Sequence, residues 1–227
     1  AAELYAGLLE SMSPVIAADP VYDEIGTVFL YTSRLREGAE LLISHAVGEP
    51  LYFGYFSAGR LFRGAGAYDR AYQLFLEAAE AAGENLRRRE RAIWYALDCR
   101  LKTGADRFAD AVPEYAELWQ DPEYFADLFE EAAAELTGAR SWEAVWELYR
   151  LLLRRGAPET TALYGHIVLQ AEAAGLYIPP YDEEVPDAGA VRESVSGYHP
   201  YGYYRFLSLA EGEGLSSLPE VTKNGSP

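Results

Sequence analysis

Residues Tyr55–Ala78 read YFSAGRLFRGAGAYDRAYQLFLEA. Two amphipathic segments flank a Gly-Ala-Gly turn, so the stretch predicts a helix–turn–helix hairpin. The spacing predicts a first helix over 51–64 and a second over 68–82. Gly64 and Gly66 bracket the turn, where a residue of left-handed conformation stops the first helix.

Working outward, two more helix pairs follow. One is expected over 86–103 and 107–119, broken at Gly104. The next is expected over 123–136 and 142–155, broken at Gly138, with Asp121-Pro122 and Ser141 as start signals. Pro158 opens a further helix to Ala174, and Gly175 closes it. Before the hairpin lie a short amphipathic helix over 1–12, with Leu4, Leu8 and Leu9 on one face, and a run from Asp19-Pro20 to Val47. Gly26 and Gly38 weaken that run, which reads as one helix or two. Period-2 alternation is missing except at Leu176–Ile178. Residues 176–200 hold an acidic, Pro-rich linker or loop, 201–212 a terminal helix and 213–227 a tail.

The second helices share one pattern. Tyr68, Ala71, Phe75 and Ala78 match Phe108, Ala111, Tyr115 and Leu118, and then Trp142, Val145, Tyr149 and Leu152. Each set runs aromatic, small or branched, aromatic, apolar at spacings of 3, 4 and 3, one continuous helix face. Tyr55, Ala58, Gly59 and Phe62 mark the matching face of the first helix.

On these residues the chain resembles the tetratricopeptide repeat. Tyr55 stands at the bulky first-helix position, Ala58-Gly59 at the Leu-Gly position and Phe62 at the Tyr position. Ala71, Phe75 and Ala78 stand at the second-helix positions. The resemblance covers about residues 51–155. It implies an all-α fold, an α-solenoid of antiparallel helix hairpins wound as a right-handed superhelix over residues 1–175. It also implies a non-enzymatic scaffold that binds a protein or peptide in a groove lined by the first helices. Carried onto this sequence, the groove positions are Phe53, Phe56, Arg60 and Arg63, then Tyr95 and Lys102, then Asp127 and Glu130. The competing expectation is that Phe53 and Phe56 pack on the preceding helix, residues 24–47. The Asn and Lys pattern of members that clamp a C-terminal carboxylate is absent.

A second resemblance lies in His199–Gly214, HPYGYYRFLSLAEGEG. It is similar to a His-Pro-x-x-x-Tyr-x-x-x-Ala stretch in the helical superhelix of soluble lytic transglycosylases. That implies, as an alternative, the non-catalytic helical domain of a peptidoglycan-processing envelope protein, with peptidoglycan as a partner and a periplasmic setting. The nearby Arg192-Glu193-Ser194 resembles the catalytic Glu-Ser of those enzymes, but no GxxGLMQ-type segment follows, and Glu193 is read as non-catalytic.

Composition narrows the partners. The 227 residues carry a net charge of −17. Duplex binding requires cations to neutralise phosphates, so nucleic acid is not an expected partner. No apolar run reaches the length of a membrane span. The lone Cys99 cannot form an intrachain disulfide and is expected in the core. His45, His166 and His199 lack ligand spacing, and no phosphate loop or nucleophile elbow occurs, so no metal, cofactor or catalytic residue is expected. The 18 tyrosines suit helix–helix seams. The one basic run, Arg87-Arg88-Arg89 with Arg91, is expected to be a solvated helix start beside Glu84 and Glu90. The chain opens on Ala rather than Met, which reads as a processed or trimmed piece.

Overall fold

The computed structural model describes residues 2–11, 19–46 and 52–198. The described residues are helical, with no strand among them. The expected helix at 201–212 and the segment His199–Gly214 lie outside the described residues. The helices are α1 (Ala2–Ser11), α2 (Asp19–Leu30), α3 (Leu35–His45), α4 (Tyr52–Gly64), α5 (Tyr68–Ala81), α6 (Leu86–Leu101), α7 (Ala105–Ala116), α8 (Ala126–Ala139), α9 (Trp142–Arg155), α10 (Pro158–Ala173) and α11 (Ala188–Tyr198). No described helix is long and apolar enough to cross a membrane. The chain divides into two compact units, residues 1–120 and 121–227.

In the first unit each helix packs on its sequence neighbour from α2 through α7, and α4 also packs on α2 and α6. The run from 19 to 47 is two helices, because a turn at 31–34 separates α2 from α3. Close backbone approach holds this unit together. A Cβ added at Gly59 would lie 2.8 Å from the Phe75 ring, and one at Gly26 would lie 2.6 Å from the Ser57 Cβ. Small residues therefore stand where helices meet, and large rings fill the gaps beside them. Ala58, Ala71, Ala78, Phe56, Phe75 and Phe108 are fully buried. Two expected apolar faces differ. Leu4 and Leu8 are exposed, and so is Leu118, because α7 ends at Ala116 before its side chain can turn inward.

In the second unit α8, α9, α10 and α11 pack in succession, with α10 also on α8. A 3₁₀ turn, Pro122–Phe125, precedes α8, with the Asp121 side chain accepting from the Glu123 N–H. The Glu123 carboxylate in turn accepts from the Glu159 N–H and the Thr160 hydroxyl at the start of α10. That places a negative charge on unpaired N–H groups at a helix N-terminus, where it is favoured.

The expected linker at 176–200 is only partly irregular. Residues 176–187 form a loop, the brief strand expected at Leu176–Ile178 is absent, and 188–198 is helix α11. Acidic loop residues find cations: Arg150 pairs with Asp182 at 2.7 Å and with Glu184 at 3.0 Å, and Arg154 pairs with Glu184. Backbone N–H groups of Val185 and Glu184, aided by Arg150, hold the Asp182 carboxyl below the usual carboxylate range. Val185, Val191 and Val195 are buried, and Val195 meets Gly165 of α10. Three apolar anchors and the ion pairs thus make the segment part of the second unit.

One stop device recurs. Gly66, Arg140, Gly156 and Gly175 all have positive φ, and each precedes a residue whose N–H reaches back five positions: Ala67 to Phe62, Ser141 to Leu136, Ala157 to Leu152 and Leu176 to Ala171. These left-handed caps satisfy the last carbonyls of each helix. Gly64 is not the left-handed residue of its turn, and the stop after α8 falls at Arg140 rather than Gly138.

Two substitutions test these constraints. Gly59→Ala forces a methyl into the Phe75 ring and should destabilise by about 1–3 kcal/mol in urea unfolding. Arg140→Gly removes a non-glycine residue from left-handed backbone and should stabilise by up to about 1 kcal/mol in the same measurement.

Candidate functional site

α4 and α6 bring four of the expected groove residues, Phe53, Phe56, Arg63 and Tyr95, together. Residues 88, 91, 95 and 98 recur at spacings of 3, 4 and 3, so they form one stripe of α6. This stripe faces Tyr52, Phe53, Phe56 and Arg63 of α4. The Arg88 guanidinium lies 4.8 Å from the Phe53 ring centroid and 5.2 Å from that of Tyr52, and Arg91 lies 4.7 Å from Phe56. One level on, the Tyr95 ring meets Phe56 and Phe75, each at 5.1 Å, and Arg63 stacks 5.6 Å from it. Finally, Arg63 Nε donates to the Asp98 carboxylate at 2.5 Å.

Each expected site residue has a definite place. Phe53 and Tyr95 are half-buried. Phe56 is fully buried, which corrects its expected role as a groove contact. Tyr52 stacks on it, Phe75 and Tyr95 meet it edge-on and Arg91 covers it, so no peptide atom can touch it. The groups that cover it come from α4, α5 and α6. Arg60 turns away from the stripe to Asp23 of α2, at 3.2 Å. Arg63 is committed to Asp98, whose side chain is only 4% exposed. That hydrogen bond is the main cause that raises the Arg63 pKa. Lys102 is exposed just past the end of α6. Asp127 and Glu130 are exposed in the second unit.

Sequence reasoning missed Arg88 and Arg91. The basic run is not simply a solvated helix start: Arg88 and Arg91 lie over rings of α4, and Arg89 donates to the Gly83 carbonyl. The signal was present, because 88 and 91 lie in register with Tyr95. Stacking of cations on ring faces contributes about 0.5–1 kcal/mol each at exposed sites.

Other polar features serve packing. Cys99 is buried, and burial, followed by the adjacent Asp98 charge, pushes its thiol up to about 12. A thiol held neutral in this way is a poor nucleophile. Tyr72 and Tyr115 share a buried hydroxyl–hydroxyl hydrogen bond of 2.9 Å, and burial, then that bond, raises the Tyr115 pKa. A surface cleft of about 340 Å³ beside them carries charges of both signs, Arg100 and Arg107 against Asp110 and Glu114. Glu193 is exposed, without the apolar cleft that raises the pKa of a glycosidic acid, and Ser194 bonds the Tyr149 hydroxyl at 2.7 Å. No group of three or more His, Cys, Asp or Glu side chains among the described residues is placed to hold a metal ion.

No family profile matches the chain, and no significant match to a curated protein or a solved structure is found.

The Arg63–Asp98 pair gives the stripe its geometry and has its own test. Asp98→Asn leaves Arg63 against a neutral amide in a largely dehydrated position. Stability should fall by about 1–3 kcal/mol, and near-ultraviolet dichroism from Tyr95 should change.

Proposed function

We propose that the chain is a non-enzymatic helical-repeat scaffold of the tetratricopeptide kind, which presents the α4–α6 face to a protein or peptide partner. The observation that carries this reading is a separation of 34 or 35 positions that recurs in contacts between α2 and α4, α4 and α6, and α8 and α10. Asp23 reaches Ser57 34 positions on, Arg63 reaches Asp98 35 positions on, and in the second unit Tyr164 reaches back 35 positions to the Phe129 carbonyl. A repeated two-helix unit of about 34 residues produces this separation, because equivalent helices then lie side by side in the same direction.

The pairing between consecutive helices supports the hairpin part of the reading. Phe75 of α5 meets Tyr95 of α6, whereas Asp69, earlier on α5, meets Arg100, later on α6. Two helices that run oppositely make contacts in this order. In such an array equivalent helices lie side by side on one surface, and the half-buried Phe53 and Tyr95 give that surface apolar contacts while the arginines give it donors.

A peptide array probed with the full chain tests the reading. Captured peptides should share a short motif and bind with micromolar affinity, and Tyr95→Ala should weaken them about tenfold while the helical dichroism is retained. Capture no better than that of an unrelated helical protein overturns it.

A further inference from the structure

We propose that the α4–α6 face reads an extended acidic segment through Arg87 and Arg91, with two carboxylates at alternate positions. This rests on the scaffold reading and names the chemistry of its partner.

The face reverses the sign of a chain whose net charge is −17. Its inner cation, Arg63, is already paired with Asp98, and Arg60 turns away to Asp23 of α2. The two outer ones differ. Arg91 is exposed and stacks on Phe56, and neither it nor the exposed Arg87 pairs with a carboxylate among the described residues. A guanidinium that lies over a ring keeps its N–H edges outward, and those edges suit bidentate capture of a carboxylate.

Spacing selects the ligand. Arg87 and Arg91 are one helical turn apart, about 6 Å along α6. Side chains two residues apart on an extended strand point the same way and are separated by about 6.8 Å. A Glu-x-Glu or Asp-x-Asp segment laid along α6 therefore matches the spacing of the two guanidinium groups.

Charge also decides against nucleic acid. Duplex DNA brings one negative charge per roughly 1.7 Å, so the field of the whole acidic chain opposes it strongly. A short peptide with few carboxylates meets far less repulsion. At physiological salt the Debye length of about 8 Å screens that repulsion beyond the contact itself.

The test uses the full chain and a fluorescein-labelled (Glu-Ser)6 peptide, read by anisotropy. The (Gln-Ser)6 peptide should bind at least about tenfold more weakly. Arg87→Gln and Arg91→Gln should each weaken (Glu-Ser)6 several-fold and together about tenfold or more, because each removes one charge-assisted contact. Arg70→Gln, at an exposed position of α5, should leave binding unchanged. Equal binding of both peptides, no effect of the double variant, or tighter binding of a labelled DNA duplex overturns the proposal. If (Glu-Ser)6 fails while the array yields a non-acidic motif sensitive to Tyr95→Ala, the acidic ligand falls and the scaffold stands.

Discussion

Three rings set the geometry of the first unit. Phe56 and Phe75 meet edge to face at 5.5 Å, and the Tyr95 centroid lies 5.1 Å from each. The rings come from α4, α5 and α6, so one contact fixes three helices at once. Such contacts add about 0.5–1.5 kcal/mol per pair beyond the area they bury. They form only because Gly59 lets the Phe75 ring approach the α4 backbone. A larger residue there separates the helices, and the ring triangle opens.

The polar face follows from the same contact. With Phe56 and Phe75 buried, Tyr95 is held at the edge of the core, and the arginines above and below it have ring faces to lie on. Charges then sort by depth. The deepest, Asp98, carries Arg63; Asp23 carries Arg60. Arg91, further out, is exposed and lies over the Phe56 ring. An uncompensated charge as deep as Asp98 would be costly, and Arg63 pairs with it.

The second unit uses similar devices with different residues. Gly165 admits Val195 and the Tyr149 ring, the Tyr149 hydroxyl reaches Ser194, and Tyr164 reaches the Phe129 carbonyl. Its acidic loop is held by Arg150 and Arg154, so a segment whose composition favours solvent is drawn onto a helix by charge. The tyrosines work as seams here: ring buried, hydroxyl bonded.

Local chemistry is legible in the sequence. Periodicity placed the helices from α4 to α10 within a few residues, because an apolar stripe at 3.6-residue spacing cannot be buried by a strand. Gly59, Ala71 and Ala78 could be read as close-approach positions from their place beside aromatic residues. Where the sequence failed, distant residues decided. Arg150 and Arg154 lie far along the chain from the loop they hold, so composition alone read 176–200 as a linker. Arg140 stops α8 although Gly138 is the better stop residue, because the left-handed turn falls two residues later. Two expected groove side chains are committed elsewhere: helical spacing says that Phe56 and Arg63 share a side of α4, but not that α5 and α6 close over the first or that Asp98 claims the second. By itself the sequence determined helix positions and packing edges, which depend on residues three and four apart. Only the tertiary structure decided which cations remain available, because ion pairing and burial depend on what a neighbouring helix carries about 35 residues away.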